Sequence, residues 1–323
     1  MTVVVISHPT DTHTIRVIDA LARLGCDTAL IDIADLPEKA TITIDYGDPS
    51  DPAATWTSAG SAPVAAADAS AVWWRRPQYP SVKGISDPDV LGFVHGEWHE
   101  ATHGLYQLLD CPWMNPPAYD DRASRKAAQL RVASRLGLRI PDTMMTSDAK
   151  AANAFVARHG IGNVVHKIFT ATHQVWRETR LLTSEDLDQF DSLYLAPVIF
   201  QEYVPAREDI RVTIVGRQLF AMAIQSRGTS YEVDFRVSLR EARTAPTTLP
   251  AEVEAKLFGI MDEFGLVYGA FDLRLTDDGT YVFLEVNPAG EFLFCEFGAD
   301  LPITDAVAQW LAGSGDRPDS HLR

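Results

Sequence analysis

Residues Tyr268 to Glu291 read YGAFDLRLTDDGTYVFLEVNPAGE, and this stretch decides the fold. Two runs in which apolar and polar residues alternate, Tyr268–Leu275 and Thr280–Asn287, flank the connection Thr-Asp-Asp-Gly. An Asp-Gly pair between two such runs is a strong hairpin signal. With Asp278-Gly279 as a two-residue loop, Asp272 falls directly opposite Glu285. Side chains alternate along a strand, so Asn287 shares the face of Glu285. Two carboxylates and an amide oxygen then converge, flanked by Phe271, Phe283, Leu284 and Val286. Directly opposed carboxylates repel one another. A divalent cation bound by hard oxygens removes the repulsion, and Mg2+ beside phosphates suits so sparse a ligand set. A three-residue loop would break this register, and the bland reading is a solvated polar face on an edge hairpin.

Composition sets the frame around that hairpin. The chain has 323 residues, 46% of them hydrophobic and 22% charged, which suits two or three subdomains sharing a substantial core. No apolar run approaches about 18–20 residues, and MTVVVISHP reads as a first core strand rather than a signal peptide. Cys26, Cys111 and Cys295 lie far apart without a CxxC spacing, as expected of a cytoplasmic protein with neither a disulfide framework nor a zinc site. A net charge of −16 argues against non-specific nucleic-acid binding.

The fold class expected is α/β (α+β). Thr2–Ser7 is a β-branched strand, followed by a polar turn and an amphipathic helix with Ile15, Ile18, Leu21, Ala22 and Leu24 on one side. A strand at Thr28–Ile33 completes a strand–helix–strand unit of the doubly wound, parallel type, without a glycine-rich phosphate loop. Asp11 and His13 read as a helix N-cap and a surface histidine, or as cleft residues. Residues 47–70 read as loop with at most a short hairpin, and AVWWRRP at Ala71–Pro77 as a strand of which Arg75 or Arg76, not both, faces a cleft. His95, His99 and His103 have i,i+4 spacing around the helical stretch Gly96–Leu109. No fourth ligand accompanies them, which favours a solvated helix face.

Asn115-Pro116-Pro117 marks a boundary. Beyond it Asp120 or Asp121 caps a helix, Ser124–Leu136, that places Lys126 in the first turn, where the helix dipole disfavours it unless an anion binds there. Lys167 sits within the strand VVHKIF, either as an edge gatekeeper or as a phosphate ligand. The polar connection Phe169–Arg180 reads as a lid. Hairpin strands at Arg211–Val215 and Leu219–Ile224 follow, then Asp234 and Arg236 on one strand face, then helices Ala251–Phe264 and Ile303–Leu311. The tail after Gly313 reads as disordered.

Two lysines on separate elements, an apolar strand ending in Gln-Glu-Tyr-Val, and a final carboxylate hairpin form a series that resembles the ATP-grasp superfamily over roughly residues 115–312. WWRRP, the DFR triplet Asp234–Arg236 and EVNPAGEFLF resemble more narrowly the graspetide ligases, the peptide maturases that include the microviridin ligases. That family commonly has tryptophan where Phe235 stands and glutamine where Glu291 stands. The resemblance implies an ATP-grasp fold with an N-terminal Rossmann-like pre-ATP-grasp domain at 1–115. A lid subdomain at 116–190, a metal-bearing subdomain at 191–312 and a tail at 313–323 would follow. It implies ATP and Mg2+ as cofactors. Lys126 and Lys167 would hold phosphates, Glu202 and the backbone at Tyr203 and Val204 would meet adenine, and Asp209 would meet the ribose. Asp272, Glu285 and Asn287 match Mg2+ ligands, and Arg211, Asp234 and Arg236 would serve catalysis, with Asp234 either orienting Arg236 or acting as base. The substrate implied is a ribosomal precursor peptide with a leader docked as a helix in a groove and a core whose Asp or Glu side chains become ω-esters or ω-amides. A homodimer is implied as well, with no nucleic-acid or membrane partner. An ATP-grasp ligase for small amino acids or dipeptides would share every one of these ATP and metal residues.

Overall fold

The computed structural model describes residues 2–169 and 178–313. The expected lid lies mostly, and the expected tail after Gly313 wholly, outside the described residues. Four sheets are present among the described residues. The first is parallel, with strands Asp27–Ile31, Thr2–Ile6, Ala69–Trp74 and Trp113–Met114 in that order. Buried on both faces, its central strand carries the unbroken apolar run Val3–Ile6. Residues 40–65, read from composition partly as loop, instead form a three-stranded antiparallel sheet of Ala40–Asp45, Ala53–Ser58 and Val64–Ala65. Trp56 anchors that sheet in the core.

The first helix spans Thr12–Arg23 and is capped by Asp11, whose carboxylate accepts from the His13 and Thr14 amides. Its inward stripe is His13, Val17, Ala20 and Leu21, whereas Ile15 and Leu24 are almost half exposed. The apolar side expected from the sequence was therefore rotated, because His13 and Thr14 belong to the buried face. A long helix, Pro88–Gln107, starts eight residues before the expected one, at the Asp87 cap.

The middle sheet is antiparallel, in the order Arg180–Leu181, Val164–Lys167, Val198–Glu202, Thr143–Thr146, with helix Ala149–His159 packed on it. The last sheet has five antiparallel strands in the order Arg243–Thr247, Gln218–Gln225, Glu208–Val215, Tyr268–Leu275, Tyr281–Asn287. One face of it packs against helices Lys126–Arg135 and Ala251–Phe264. The other face shares a core with the first sheet and with helix Ile303–Leu311. The helix expected at Ser124–Leu136 is two helices, Pro117–Ser124 and Lys126–Arg135, broken where Arg125 takes an extended ψ of 100°. Neither Asp120 nor Asp121 caps the second one, whose first residue is Lys126. Among the described residues, no helix is long and apolar enough to cross a membrane.

Candidate active site

The hairpin Tyr268–Leu275/Tyr281–Asn287 sets Asp272 opposite Glu285, as the sequence predicts, but by another route. The loop has three residues rather than two: Thr276 N–H donates to Thr280 O and Gly279 N–H to Thr276 O, with Gly279 at a left-handed φ of 85°. That loop pairs Leu273 with Phe283, one residue out of the expected register. A bulge at Leu284 then restores it, so that Asp272 meets Glu285 and Ala270 meets Asn287. The bulge also puts Leu284 on the cleft wall beside Glu285 and Asn287, while Phe283 and Val286 enter the core.

Helix Lys126–Arg135 places its first residue against this face. Gln129, buried on its inner side, donates to Val286 O at 2.8 Å and accepts from Val286 N–H at 3.1 Å, locking the helix to the outermost strand. One turn earlier, the Lys126 ammonium pairs with Glu285. Asn287 donates to Glu285 Oε1 at 3.4 Å. Lys167 arrives from the middle sheet and donates to Gln201 Oε1 at 3.1 Å, with Gln201 in turn fixed by Thr143 at 2.9 Å. Its strand lies between two others, so the edge-gatekeeper reading does not hold. Arg236 stands in a fork with Asp234, Nε to Oδ1 at 2.8 Å and Nη2 to Oδ2 at 2.5 Å. These two residues do not share a strand face, as the sequence suggested: Asp234 caps a short helix, Phe235–Ser238, and also accepts from Thr179 N–H at 3.1 Å.

Charge is the organising feature of the cleft. Burial outweighs Arg211 and, with the facing Glu285, holds the Asp272 carboxyl above its ordinary range. Burial alone would raise Glu285 too, yet the Lys126 and Lys167 ammonium groups bring it well below the usual carboxylate range. Burial pushes Lys167 down to about 8. Asp234, although desolvated, is kept below its ordinary value by the Arg236 fork. The carboxylate face thus has lysines as counter-charges, and the oxygens on it come from two carboxylates and one amide. Among the described residues no three His, Cys, Asp or Glu converge, so a metal here would complete its shell with phosphate oxygens or water, which suits Mg2+.

Of the sequence-derived candidates, Lys126, Lys167, Glu202, Tyr203, Val204, Asp209, Asp234, Arg236, Asp272, Glu285 and Asn287 line one cleft between the middle and last sheets. Arg211 does not line it. At 5% exposure, Arg211 lies behind Asp272, donating to its Oδ1 at 2.8 Å. Asp209 is committed within the protein, to Arg274 Nε at 3.0 Å and to the Ser226 hydroxyl at 2.5 Å. The Tyr203 amide donates to Asn163 O at 2.8 Å, the Val204 carbonyl accepts from Arg274 at 2.7 Å, and the Glu202 carboxylate accepts from the Asp142 amide at 3.1 Å. Arg274 escaped the sequence reading, although the two-residue period from Asp272 puts it on the cleft face. Gln129 also escaped it, where the signal was a polar residue on an otherwise buried helix stripe. His99 and His103 stack on each other on the outside of their helix, away from the cleft.

No protein-family model and no curated protein matches this chain. Among solved structures, it is similar to the macrocyclase MdnC of Microcystis aeruginosa MRC bound with the precursor peptide MdnA. The identity is 31%, over 97% of this chain and 100% of that one, with a TM-score of 0.86. The macrocyclase MdnB of the same organism is 29% identical over 96% of this chain and 98% of its own, with a TM-score of 0.82. A RiPP-associated ATP-grasp ligase of Chryseobacterium gregarium shares the fold, at 24% identity, 100% and 99% coverage and a TM-score of 0.87. Identity, coverage and fold together place this chain in the family of the RiPP-associated ATP-grasp ligases, the graspetide maturases, and make it an ATP-dependent ligase.

Proposed function

We propose that this ligase activates Asp or Glu side chains of a ribosomal precursor peptide as acyl phosphates. It then joins them to Thr or Ser hydroxyls or Lys amines, closing macrocycles. The observation that carries the reading is the meeting of Lys126, Lys167 and Arg236 with the opposed carboxylates Asp272 and Glu285 in one cleft. It occurs in a chain that is 31% identical, over nearly its full length, to a macrocyclase bound with its precursor. We read the chain as three working parts, 1–115, 116–190 and 191–312, with the cleft between the second and third.

ATP with Mg2+ supplies the phosphoryl group that turns a poor electrophile, a carboxylate, into a good one. Asp272, Glu285 and Asn287 would hold the metal. Lys126 and Lys167 would exchange their present partners, Glu285 and Gln201, for phosphate oxygens, restoring the Lys167 charge that burial weakens. Arg236, fixed by Asp234, presents a rigid planar cation to the peptide carboxylate or to the transferring phosphoryl group. Arg211 acts from behind by holding Asp272 in place and by opposing the rise that burial imposes on its carboxyl. Arg274 ties Asp209, Val204, Glu232 and Val233 into one wall of the cleft. No side chain acts as a covalent nucleophile: every assigned role is charge placement and orientation.

The test is the intact mass of a precursor peptide encoded beside this protein, incubated with it, ATP and Mg2+. Successive losses of one water, abolished in Glu285→Gln, are expected. Hydroxide-labile rings would mark esters and stable ones amides. An unchanged peptide mass, with ATP hydrolysis stimulated by free amino acids, would replace the reading with a small-molecule ligase.

A further inference from the structure

The turn that follows Asn287 is held along its backbone by five buried side chains from other parts of the chain. Asn115 Nδ2 donates to Pro288 O at 3.0 Å. Arg75 Nη1 donates to Ala289 O at 2.7 Å and to Gly290 O at 2.8 Å. The Tyr268 hydroxyl adds a bond to Gly290 O, and Arg211 Nη2 one to Glu291 O, both at 2.8 Å. The amides of Phe292 and Leu293 then converge on His13 Nε2 at 3.1 and 3.3 Å. Every carbonyl from Pro288 to Glu291 therefore has a side-chain donor. Gly290 shows how tightly the turn is pressed down: a Cβ there would stand 2.5 Å from Ala270 Cβ and 2.9 Å from Arg211 Nη2.

His13 belongs to the first helix and Arg75 directly follows the first-sheet strand Ala69–Trp74, and Asp11 joins them. Its carboxylate accepts from Arg75 Nε at 3.2 Å and from His13 Nδ1 at 3.1 Å. Because His13 Nε2 accepts two amide protons, the ring is the neutral tautomer with its proton on Nδ1, the form the Asp11 bond selects. Arg75 is only 1% exposed, and its Nη2 has no hydrogen-bond partner among the described residues. Burying an incompletely paired guanidinium costs stability that an apolar contact would not. A contact needed only to join the first sheet to the last would not be built this way.

We infer that Asp11, His13 and Arg75 are positioning residues for the metal side of the cleft. They fix the Pro288–Leu293 backbone and so the direction in which Asn287 presents its amide. Arg211 links the same turn to Asp272, so both donors lean on one scaffold. The chain thereby uses its N-terminal sheet, which contributes no residue to the cleft wall, to set the metal geometry. This inference rests on the assignment of Asn287 as a metal ligand.

Mn2+ binding in the presence of ADP, read from the electron spin resonance signal of free Mn2+, separates the two claims. His13→Leu removes the acceptor and is expected to weaken Mn2+ binding about tenfold or more, with metal-free ADP binding unchanged. His13→Gln, whose Oε1 can accept the same two amides, should recover most of the affinity. Asn287→Ala is the control. If it loses Mn2+ affinity while folded His13→Leu binds as wild type, whatever happens to the melting temperature, the three residues are only structural and the inference fails alone. If Asn287→Ala binds Mn2+ as wild type, the ligand assignment fails and the inference with it. Should His13→Leu not fold, Arg75→Lys keeps the charge beside Asp11 but loses the paired Nη1 bonds to the two carbonyls. The same weakening is expected there, and wild-type affinity would overturn the inference.

Discussion

Two arginine–carboxylate pairs sit side by side across the same two strands, Glu208–Val215 and Tyr268–Leu275. In one, Asp209 faces Arg274; in the next, Arg211 faces Asp272. The residue types are the same with the strands exchanged, and all four are buried. Their surroundings differ. Arg274 spends its guanidinium on Asp209 and on three backbone carbonyls, and Asp209 takes a second bond from Ser226. That pair is closed. Arg211 gives Asp272 one bond at 2.8 Å, and Asp272 still confronts Glu285, an unfavourable meeting that only further positive charge relieves. That pair is open toward the cleft. A buried ion pair by itself says little about function; whether its oxygens are all used inside the protein says more.

The comparison can be broken from either side. Arg274→Met should cost most in stability, about 3–5 kcal/mol by urea unfolding, because it strands a buried carboxylate. A loss below about 1 kcal/mol would mean that the pair is not closed as described. Glu285→Gln should leave a folded protein, losing less than half of that stability, while ATP turnover falls about 10²- to 10³-fold. Equal turnover in this variant and wild type would remove the metal reading. A smaller effect belongs to Lys167, set near 8 by burial. Its charge is present below that pH and lost above it, so nucleotide affinity should fall as pH rises through about 8, by at most about tenfold per unit, and Lys167→Gln should flatten the profile. Smallest of all, replacing His95, His99 and His103 together by Gln should leave Mn2+ binding with ADP unchanged and shift stability by no more than about 0.5 kcal/mol per site. A clear loss of metal would move the site away from the hairpin.

Much of this was legible before any coordinates. Strand Tyr268–Leu275 and helices Ala251–Phe264 and Ile303–Leu311 have the bounds that period and punctuation predict. The opposed carboxylates were legible too, but through two departures that cancel. Asp-Gly does not dictate loop length, since a left-handed glycine also closes a three-residue loop, and a bulge such as Leu284 leaves no local mark in the sequence. What stayed hidden depends on distance along the chain. Nothing near Arg211 tells that its partner is Asp272 rather than a phosphate. His13 looks like a surface residue until the turn at Phe292, 279 positions away, comes to rest on it. Asp120 caps neither helix, because Arg125 bends the chain between them without any capping side chain.

The most direct test follows the oxygen. A precursor peptide carrying isotopically labelled oxygen in its side-chain carboxylates would be incubated with this ligase, ATP and Mg2+, and the released phosphate analysed by mass. Activation through an acyl phosphate predicts one labelled oxygen transferred to phosphate for each water lost from the peptide. Ring closure with unlabelled phosphate would contradict the account at its centre.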